Sequence, residues 1–260
     1  MSDKTNLQDV TFLIPVRIES MDRLENVLMV TEYLDANFDT NIHLLEADSC
    51  DNSILKAVVP DSVTVTFVED HDPIFHRTKY INELVRKSST PYLAIWDTDV
   101  IAPPGQVVKS VQQLRKEEAD FVYPYTDNFF DTSKIVRELF LNTRDMNVLL
   151  ENTGKMEKLY LPKPVGGAFL VNKKSYIESG IENEHFYGWG REDGERLNRW
   201  KILGYEHNRI SGPLFHLTHD RGINSKFHTD GQIKIKHNEV LRILSMSKKE
   251  LREEVKSWDN

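Results

Sequence analysis

The segment Tyr92-Leu-Ala-Ile-Trp96 is a short, almost wholly apolar run that ends abruptly in Asp97-Thr98-Asp99. Apolar runs without alternation are typical of strands that are buried on both faces of a parallel sheet. Acidic residues directly after such a strand lie at the carboxyl edge of the sheet, which is where open α/β sheets bind ligands. The segment therefore predicts an α/β fold with a candidate site at the end of this strand.

The rest of the chain alternates between strand and helix patterns on both sides of this segment. The predicted strands are residues 10–15, 42–45, 63–68, 92–96, 121–125 and 165–171. The predicted helices are residues 21–37, 78–87, 107–118, 132–150 and 193–203, with a charged helical pattern from residue 238 onward. Strands that alternate with helices predict a mainly parallel sheet covered on both faces. Residues 151–158 are charged and contain Gly154, so they are predicted to form a loop and are a candidate lid.

Length and composition restrict the class of protein. The chain has 260 residues, enough for one α/β domain over residues 1–235 and a helical extension over residues 236–260. Its net charge of -8 argues against a nucleic-acid binder, which needs a basic face. Cys50 is the single cysteine, so no internal disulfide is possible. No leader pattern or integral membrane segment is recognisable, and a cytoplasmic protein is expected.

The acidic pair Asp97 and Asp99 is the first chemistry-bearing feature. Two carboxylates spaced by one residue at a strand end can hold a divalent cation or a ribose. The alternative is a solvated acidic turn, because the chain contains 41 acidic residues. The position directly after an apolar strand favours the ligand site.

His216 and His219 form a second candidate. Two imidazoles three residues apart can meet one metal ion on a helical turn, whereas in an extended chain they diverge. Nitrogen ligands added to a carboxylate favour Mn²⁺ or a later metal over Mg²⁺ or Ca²⁺. Two ordinary polar loop histidines are the alternative interpretation.

Two basic segments suit a phosphate-bearing ligand. Arg77 and Lys79 open the predicted helix 78–87, and cations there can bind a diphosphate. Pro15 and Arg17 end the first predicted strand and place a cation at the same edge of the sheet. A solvated basic turn is the alternative for the first segment, and a surface arginine at a strand end is the alternative for the second.

The segment Phe186-Tyr-Gly-Trp-Gly-Arg-Glu-Asp193 combines an aromatic plate with two carboxylates. Glycines on both sides of Trp189 allow positive φ and close approach of a ligand. Glu192 and Asp193 then open a helix, where carboxylates suit the positive end of the helix dipole. A plate beside a carboxylate suits a sugar whose hydroxyl is to be deprotonated. The alternative is a glycine-rich turn capped by an acid.

Taken in order, these segments resemble the β-1,4-galactosyltransferase family and its bacterial relatives, which are inverting sugar-nucleotide transferases with the GT-A fold. Ile14-Pro15-Val16-Arg17 is similar to the family's Ile-Pro-Phe-Arg, and the block Phe75 to Lys79 is similar to Phe-Asn-Arg-Ala-Lys. Asp97-Thr98-Asp99 resembles the family's Asp-x-Asp. Gly188-Trp-Gly-Arg-Glu-Asp193 resembles Gly-Trp-Gly-Gly-Glu-Asp, with Arg191 in place of a glycine, which predicts a stiffer turn.

The resemblance implies a role for each matching residue. Arg17 and Arg77 contact the nucleotide of the donor, and Pro15, Lys79 and Asp97 are placed with them. Sugar binding is implied for Trp189, Gly190 and Glu192. Asp193 is the implied catalytic base. Asp99 and His219 match the family's metal ligands, and His216 replaces a methionine ligand. The implied cofactor is Mn²⁺ or another divalent cation.

Val165-Gly166-Gly167 resembles the family's Phe-Gly-Gly. The preceding residue helps to select the donor sugar and is a tyrosine in typical galactosyl enzymes, but it is Pro164 here. The smaller side chain leaves room for an N-acetylhexosamine. Gly167 and Pro164 are therefore placed among the sugar-binding residues.

The implied function is metal-dependent inverting transfer of a hexose or N-acetylhexosamine from a UDP-sugar to a glycan hydroxyl, in bacterial polysaccharide biosynthesis. One alternative is a non-catalytic protein that binds nucleotide sugars or carbohydrates. Another is a sugar nucleotidyltransferase, which would usually carry a glycine-rich, lysine-bearing loop after the first strand. Ile18-Glu-Ser-Met21 is not such a loop.

Overall fold

The computed structural model describes residues 4–126, 128–160, 162–227 and 229–259. Within these residues the strands are β1 (Thr5–Val16), β2 (Phe38–Asp48), β3 (Val63–Glu69), β4 (Tyr92–Trp96), β5 (Val100–Ile101), β6 (Phe121–Tyr123), β7 (Asn128–Asp131), β8 (Glu157–Lys158), β9 (Ala168–Asn172), β10 (His207–Arg209) and β11 (Pro213–His216). The helices are α1 (Met21–Asn37), α2 (Ile54–Val58), α3 (Arg77–Lys87), α4 (Pro104–Arg115), α5 (Lys134–Thr143), α6 (Met146–Glu151), α7 (Lys173–Glu178), α8 (Glu192–Leu203), α9 (Asp230–Leu244) and α10 (Lys248–Lys256).

The large sheet confirms the predicted fold class. Its strand order is β10-β6-β9-β4-β1-β2-β3, and all neighbours pair in parallel except β9, which is antiparallel to both β4 and β6. Because β9 runs in the opposite direction, its first residue Ala168 pairs with Trp96, the last residue of β4. The residues before β9 therefore lie at the same edge as those after β4.

A second, four-stranded sheet of order β5-β11-β7-β8 was not predicted. The expected loop at residues 151–158 is wrong, because α6 ends at Glu151, a 3₁₀ turn covers Thr153–Lys155, and β8 pairs with β7. The role of this segment as a lid stays a prediction. The expected single helix over residues 132–150 is also divided. Arg144 adopts a left-handed φ of 56° that ends α5, and the Asp145 side chain then caps α6.

Helix α8 is held against the sheet by aromatic packing. The Trp200 ring lies parallel to Phe121 at 3.6 Å between centroids and edge-on to Phe169 at 5.5 Å. The helix ends at Gly204 with φ 80°, as its sequence pattern predicts. Since Trp200 is fully buried, it fixes where the first turn of α8 lies, at the edge of the sheet.

The C-terminal helices pack on α8. Leu251 and Val255 of α10 are buried with Leu203, and a Cβ on Gly180 would lie 2.7 Å from Val255. The predicted boundary between residues 235 and 236 falls inside α9, so the two-part division stays a prediction. Among the described residues, the longest apolar helical stretches fall short of what is needed to cross a bilayer.

Candidate functional site

A cavity of about 510 Å³ opens at the carboxyl edge of the large sheet. It is bordered by the segments after β1, β4 and β11, by the segment before β9, and by the turn before α8. Its lining includes these predicted site residues: Pro15, Arg17, Arg77, Asp97, Asp99, Pro164, Gly167, Trp189, Gly190, Glu192, Asp193, His216 and His219. Lys79 is exposed outside this lining, with its Nζ over the Tyr80 ring at 5.5 Å. Folding thus brings together all of the predicted residues but one.

Asp99, His216 and His219 converge in this cavity. Asp99 Oδ2 lies 3.1 Å from His219 Nε2 and 3.7 Å from His216 Nε2, and one ligand atom from each residue lies within 4.8 Å of the others. The expectation that the two histidines need a helical turn is wrong, because His216 ends strand β11. The pairing of β11 with β5 places His216 opposite Val100, and the backbone N–H of Leu217 donates to Asp99 O at 2.7 Å.

The far nitrogens of the two imidazoles are both engaged. His216 Nδ1 lies 2.8 Å from Asp131 Oδ1, and His219 Nδ1 lies 2.9 Å from the carbonyl oxygen of Asp220. Because a carbonyl and a carboxylate accept, each Nδ1 donates, and each Nε2 is available as a ligand. Two imidazole nitrogens and a carboxylate oxygen suit Mn²⁺ or a later divalent metal. The three residues therefore fit the implied cofactor.

The three groups also stabilise one another electrostatically. Burial by itself raises the pKa of Asp99, but the His216 and His219 imidazoles outweigh it and hold that pKa below its ordinary value. Burial lowers the pKa of His216, yet Asp99 and Asp131 outweigh it and raise that pKa. Since a metal ion needs the neutral imidazole, a cation bound by these residues would displace a proton from His216.

Arg77 and Asp97 form an ion pair beside the metal site. Arg77 donates to Asp97 Oδ1 from Nε at 3.1 Å and from Nη2 at 2.5 Å. Burial, together with the nearby Asp99, raises the pKa of Asp97 despite this guanidinium. Arg77 Nη1 is buried and has no hydrogen-bond partner among the described residues. A buried, unpaired guanidinium N–H is costly unless a ligand accepts from it, so Nη1 is a donor suited to an anionic group.

Asp193 lies in the first turn of α8 between a guanidinium and a glycine. Its Oδ1 accepts from Arg196 Nη2 at 2.5 Å. Its Oδ2 would be 2.7 Å from a Cβ on Gly166, so glycine is required there for the carboxylate to occupy this position. The Gly166 carbonyl in turn accepts from the Tyr125 hydroxyl at 2.6 Å. Asp193 keeps 29% of its side-chain surface exposed, toward the cavity that it lines.

Glu192 is the more buried of the two adjacent acids, at 7% exposure. Burial, together with the neighbouring Asp193, raises the pKa of Glu192 to about 7, although Arg77 and Lys236 act in the opposite direction. Its Oε2 is buried and lacks a hydrogen-bond partner within the described part of the chain. Such a carboxyl group is suited to exchange a hydrogen bond with a ligand hydroxyl.

The turn that carries Trp189 is packed from the C-terminal side of the chain. The Trp189 ring meets Phe227 edge-on at 5.2 Å, and a Cβ on Gly190, whose φ is 100°, would lie 2.8 Å from that ring. Lys236 of α9 is only 3% exposed and donates from Nζ to Trp189 O at 2.5 Å. Lys236, which belongs to the predicted C-terminal extension, therefore holds the turn that carries Trp189, the predicted sugar-binding residue.

Arg17 lines the cavity, but all three of its guanidinium nitrogens donate hydrogen bonds within the protein. Nε donates to Ala47 O at 2.7 Å, Nη1 to Asp72 O at 2.7 Å, and Nη2 to Asp70 Oδ2 at 2.6 Å. The guanidinium lies over the Phe75 ring at 5.4 Å. Arg17 thus braces the ends of β2 and β3, and its predicted contact with a nucleotide would be made from this fixed position.

Pro164 and Gly167 lie in the segment before β9. Pro164 is buried against the cavity. Gly167 has a φ of 83°, and a Cβ there would lie 2.9 Å from Leu214 and 3.0 Å from Phe129. Its carbonyl accepts from Asp97 N at 2.9 Å, which joins this segment to the end of β4.

The sequence analysis did not assign a role to four residues that hold the site together, namely Asp131, Arg196, Phe227 and Lys236. Asp131 and Lys236 reach the site from elements that pair or pack only in three dimensions. A signal existed for Arg196, because it lies three residues after Asp193 and side chains at that spacing are neighbours on a helix.

Comparison with known proteins places this architecture among the GT-A glycosyltransferases. The chain is similar to the catalytic domain of Drosophila β1,4-galactosyltransferase 7, crystallised with xylobiose, at 16% identity over 90% of this chain and 79% of that one, with a TM-score of 0.54. A mutant of that enzyme in complex with manganese, UDP-Gal and xylobiose matches at 15% identity over 89% and 79%, also with a TM-score of 0.54. Glucosyl-3-phosphoglycerate synthase from M. tuberculosis matches at 16% identity over 90% and 78%, with a TM-score of 0.50. At these identities the similarity establishes the fold.

A family comparison adds sequence-level support. Residues 150–220 match the family described as the N-terminal domain of galactosyltransferase. That segment contains Trp189, Glu192, Asp193, His216 and His219. Among curated protein sequences, none matches the chain. The family match and the fold confirm the resemblance to galactosyltransferases that the motifs predicted, and together they support a glycosyltransferase.

Proposed function

We propose that this chain is a metal-dependent inverting glycosyltransferase, which moves a hexose or N-acetylhexosamine from a UDP-sugar to a hydroxyl group of a glycan. The observation that carries the proposal is that Asp193 lines the same cavity as the Asp99, His216 and His219 cluster. A base for an acceptor and a metal site for a sugar diphosphate are the two parts that such a transfer needs.

In the proposed reaction, Asp193 takes the proton from the acceptor hydroxyl as that oxygen attacks the anomeric carbon of the donor. The new glycosidic bond forms as the bond to UDP breaks, and UDP leaves with the electron pair. Attack from the side opposite to UDP inverts the anomeric configuration. Arg196 holds Oδ1 of Asp193, so we assign the proton to Oδ2.

Other residues bind and orient the two substrates. Arg77, through its unpaired Nη1, donates to the negatively charged leaving group. Trp189 offers an aromatic face to a sugar, and Glu192 pairs with a sugar hydroxyl. A divalent cation held by Asp99, His216 and His219 would supply Lewis-acid stabilisation of the diphosphate. The small side chain of Pro164 leaves space beside the donor sugar, and this space can accommodate an N-acetyl group.

The proposal is tested by measuring UDP release from a panel of UDP-sugars with Mn²⁺, with and without simple sugar acceptors. We expect one donor to be hydrolysed slowly and to be transferred when a suitable acceptor is present. Asp193→Asn should keep Mn²⁺-dependent donor binding but lose transfer by about 10²- to 10⁴-fold.

Different outcomes separate the alternatives. Binding of a UDP-sugar without any turnover would support a non-catalytic sugar-nucleotide-binding protein. Pyrophosphate release from a nucleoside triphosphate and a sugar phosphate would support a nucleotidyltransferase. Asp193→Asn transferring at the wild-type rate would remove Asp193 from the role of base.

A further inference from the structure

Behind Asp193 lies a chain of buried polar groups. Arg196 donates from Nη2 to Asp193 Oδ1 at 2.5 Å, and its Nη1 lies 2.9 and 2.8 Å from the two carboxylate oxygens of Glu182. The Tyr176 hydroxyl donates to Glu182 Oε1. The side chains of Arg196 and Glu182 are 0% and 1% exposed, whereas Asp193 reaches the cavity.

The three charged side chains Asp193, Arg196 and Glu182 carry one net negative charge. Two carboxylates and one guanidinium sum to -1, and Glu182 contributes the charge that balances Arg196. The Arg196 guanidinium also lies over the Phe169 ring, 4.0 Å from its centroid. Coulomb interactions are strong in this buried environment, because its dielectric constant is low. Without Glu182, Arg196 would pair with Asp193 alone and cancel the charge on which a base depends.

We propose that Glu182 is a positioning residue for transfer: it compensates the charge of Arg196, so that Arg196 holds Asp193 in place without quenching it as a base. This inference rests on the proposed function, with Asp193 as the base. Asp193 then keeps a fixed geometry on Oδ1 and an available Oδ2, and neither Glu182 nor Arg196 touches the substrates.

Other groups also act on Asp193, and they are the same in wild type and variants. Glu192 lies on the same helix, Arg77 on α3, Asp97 after β4, and the hydroxyls of Tyr123 and Tyr125 come from β6 and the segment after it. Comparing variants over a range of pH therefore isolates the effect of the Glu182 charge.

Glu195 is a matched control, because it forms a buried ion pair on α8, the helix that carries Asp193 and Arg196. Glu195 accepts from Arg199 Nε at 2.7 Å, and these side chains are 1% and 0% exposed. Neither residue is bonded to Asp193. Glu182→Gln and Glu195→Gln each remove one charge from a buried ion pair with almost no change in volume, but only the first removes a carboxylate that is hydrogen-bonded to Arg196.

The experiment measures kcat, the KM of the donor, the pH profile of kcat and Tm for both variants. We expect Glu182→Gln to lower kcat roughly ten- to hundredfold with the KM of the donor unchanged, as for outer-shell partners of other sites. The acid limb of the kcat–pH profile of Glu182→Gln should move to lower pH, because an Arg196 without its Glu182 partner favours the ionised form of Asp193. Glu195→Gln should lower Tm comparably but keep kcat within about twofold. Glu182→Asp should restore most of kcat.

The outcomes separate this inference from the proposed function. An active wild type with Glu182→Gln equal to Glu195→Gln in kcat and pH profile overturns the inference alone. A wild type without transfer overturns the proposed function, and the inference with it. If Glu182→Gln does not fold, the double variant Glu182→Gln with Arg196→Met removes both charges, and buried pairs tolerate such replacement. This double variant should have a lower kcat, and the acid limb of its kcat–pH profile should not move to lower pH. A double variant with the kcat and pH profile of the wild type would overturn the inference.

Discussion

His216 Nδ1 lies 2.8 Å from Asp131 Oδ1, so the imidazole that ends β11 is oriented by a carboxylate at the end of β7. The two strands pair in parallel, and His216 and Asp131 are direct partners in their register. This pairing turns Nε2 of His216 toward Asp99. A carboxylate behind a ligating histidine fixes its tautomer and raises its basicity as a ligand.

The first prediction concerns metal affinity. Asp131→Asn should weaken Mn²⁺ binding about 10- to 100-fold, because a neutral amide replaces the charged acceptor that orients His216 and raises its basicity. His219→Ala should weaken binding further, since a ligand itself is removed. The affinity is measured by calorimetric titration of the protein with Mn²⁺. Asp220→Asn is the control, because the Asp220 side chain is 87% exposed beside the same site. Equal affinities for Asp131→Asn and wild type would exclude the orienting role.

The second prediction concerns Gly166. Its alanine variant places a Cβ 2.7 Å from Asp193 Oδ2, and Arg196 restrains the carboxylate from the other side. Asp193 must move, so transfer should fall by up to about 100-fold, while Tm changes little. The measurement is kcat with the best donor and acceptor. Gly194→Ala is the control, because no atom would lie within 4 Å of the added Cβ. A Gly166→Ala enzyme with full kcat would contradict the prediction.

The third prediction follows from the raised pKa of Glu192, which is about 7 in the folded protein, whereas a free glutamate side chain has a pKa of 4.5. Between these two pH values the folded state holds a proton that the unfolded state has released, so wild-type stability falls as pH rises through this window. Glu192→Gln removes this loss. The variant should gain up to about 3 kcal/mol in unfolding free energy relative to wild type between about pH 4 and pH 8.

Urea unfolding of both proteins across this range checks the third prediction. The titration of groups remote from Glu192 is common to the two proteins and cancels in the comparison, whereas that of Asp193 and Lys236, which interact with Glu192, contributes to the difference. A difference between wild type and Glu192→Gln that is independent of pH would show that Glu192 titrates normally.

The fourth prediction concerns Lys236, whose Nζ holds the Trp189 carbonyl. Lys236→Met should release the turn, raise the KM of a sugar substrate and change the intrinsic tryptophan fluorescence, since the Trp189 ring is partly exposed. Lys234→Met is the control, because Lys234 is exposed on the same helix. Identical spectra and KM values for the two variants would exclude a role of α9 in the site.

The sequence by itself determined the sheet and its edge. Apolar runs such as residues 92–96 and the helical spacing of residues 21–37 depend only on local periodicity, and both matched the structure to the residue. The motifs also determined which residues meet in the cavity. Because ligands bind at the carboxyl edge of such a sheet, its position after an apolar strand placed Asp99 at this edge, and the resemblance to galactosyltransferases added Arg77 and Asp193 to the same site.

Tertiary structure alone decided how those residues are held. The convergence of His216 and His219 depends on β11 pairing with both β5 and β7, which are far away in the sequence. The support of Asp193 by Arg196 and Glu182 depends on burial, and that of Trp189 by Lys236 depends on how α9 packs. Local pattern carries no information about such contacts, because burial and long-range pairing set which charges become neighbours and how strongly they interact.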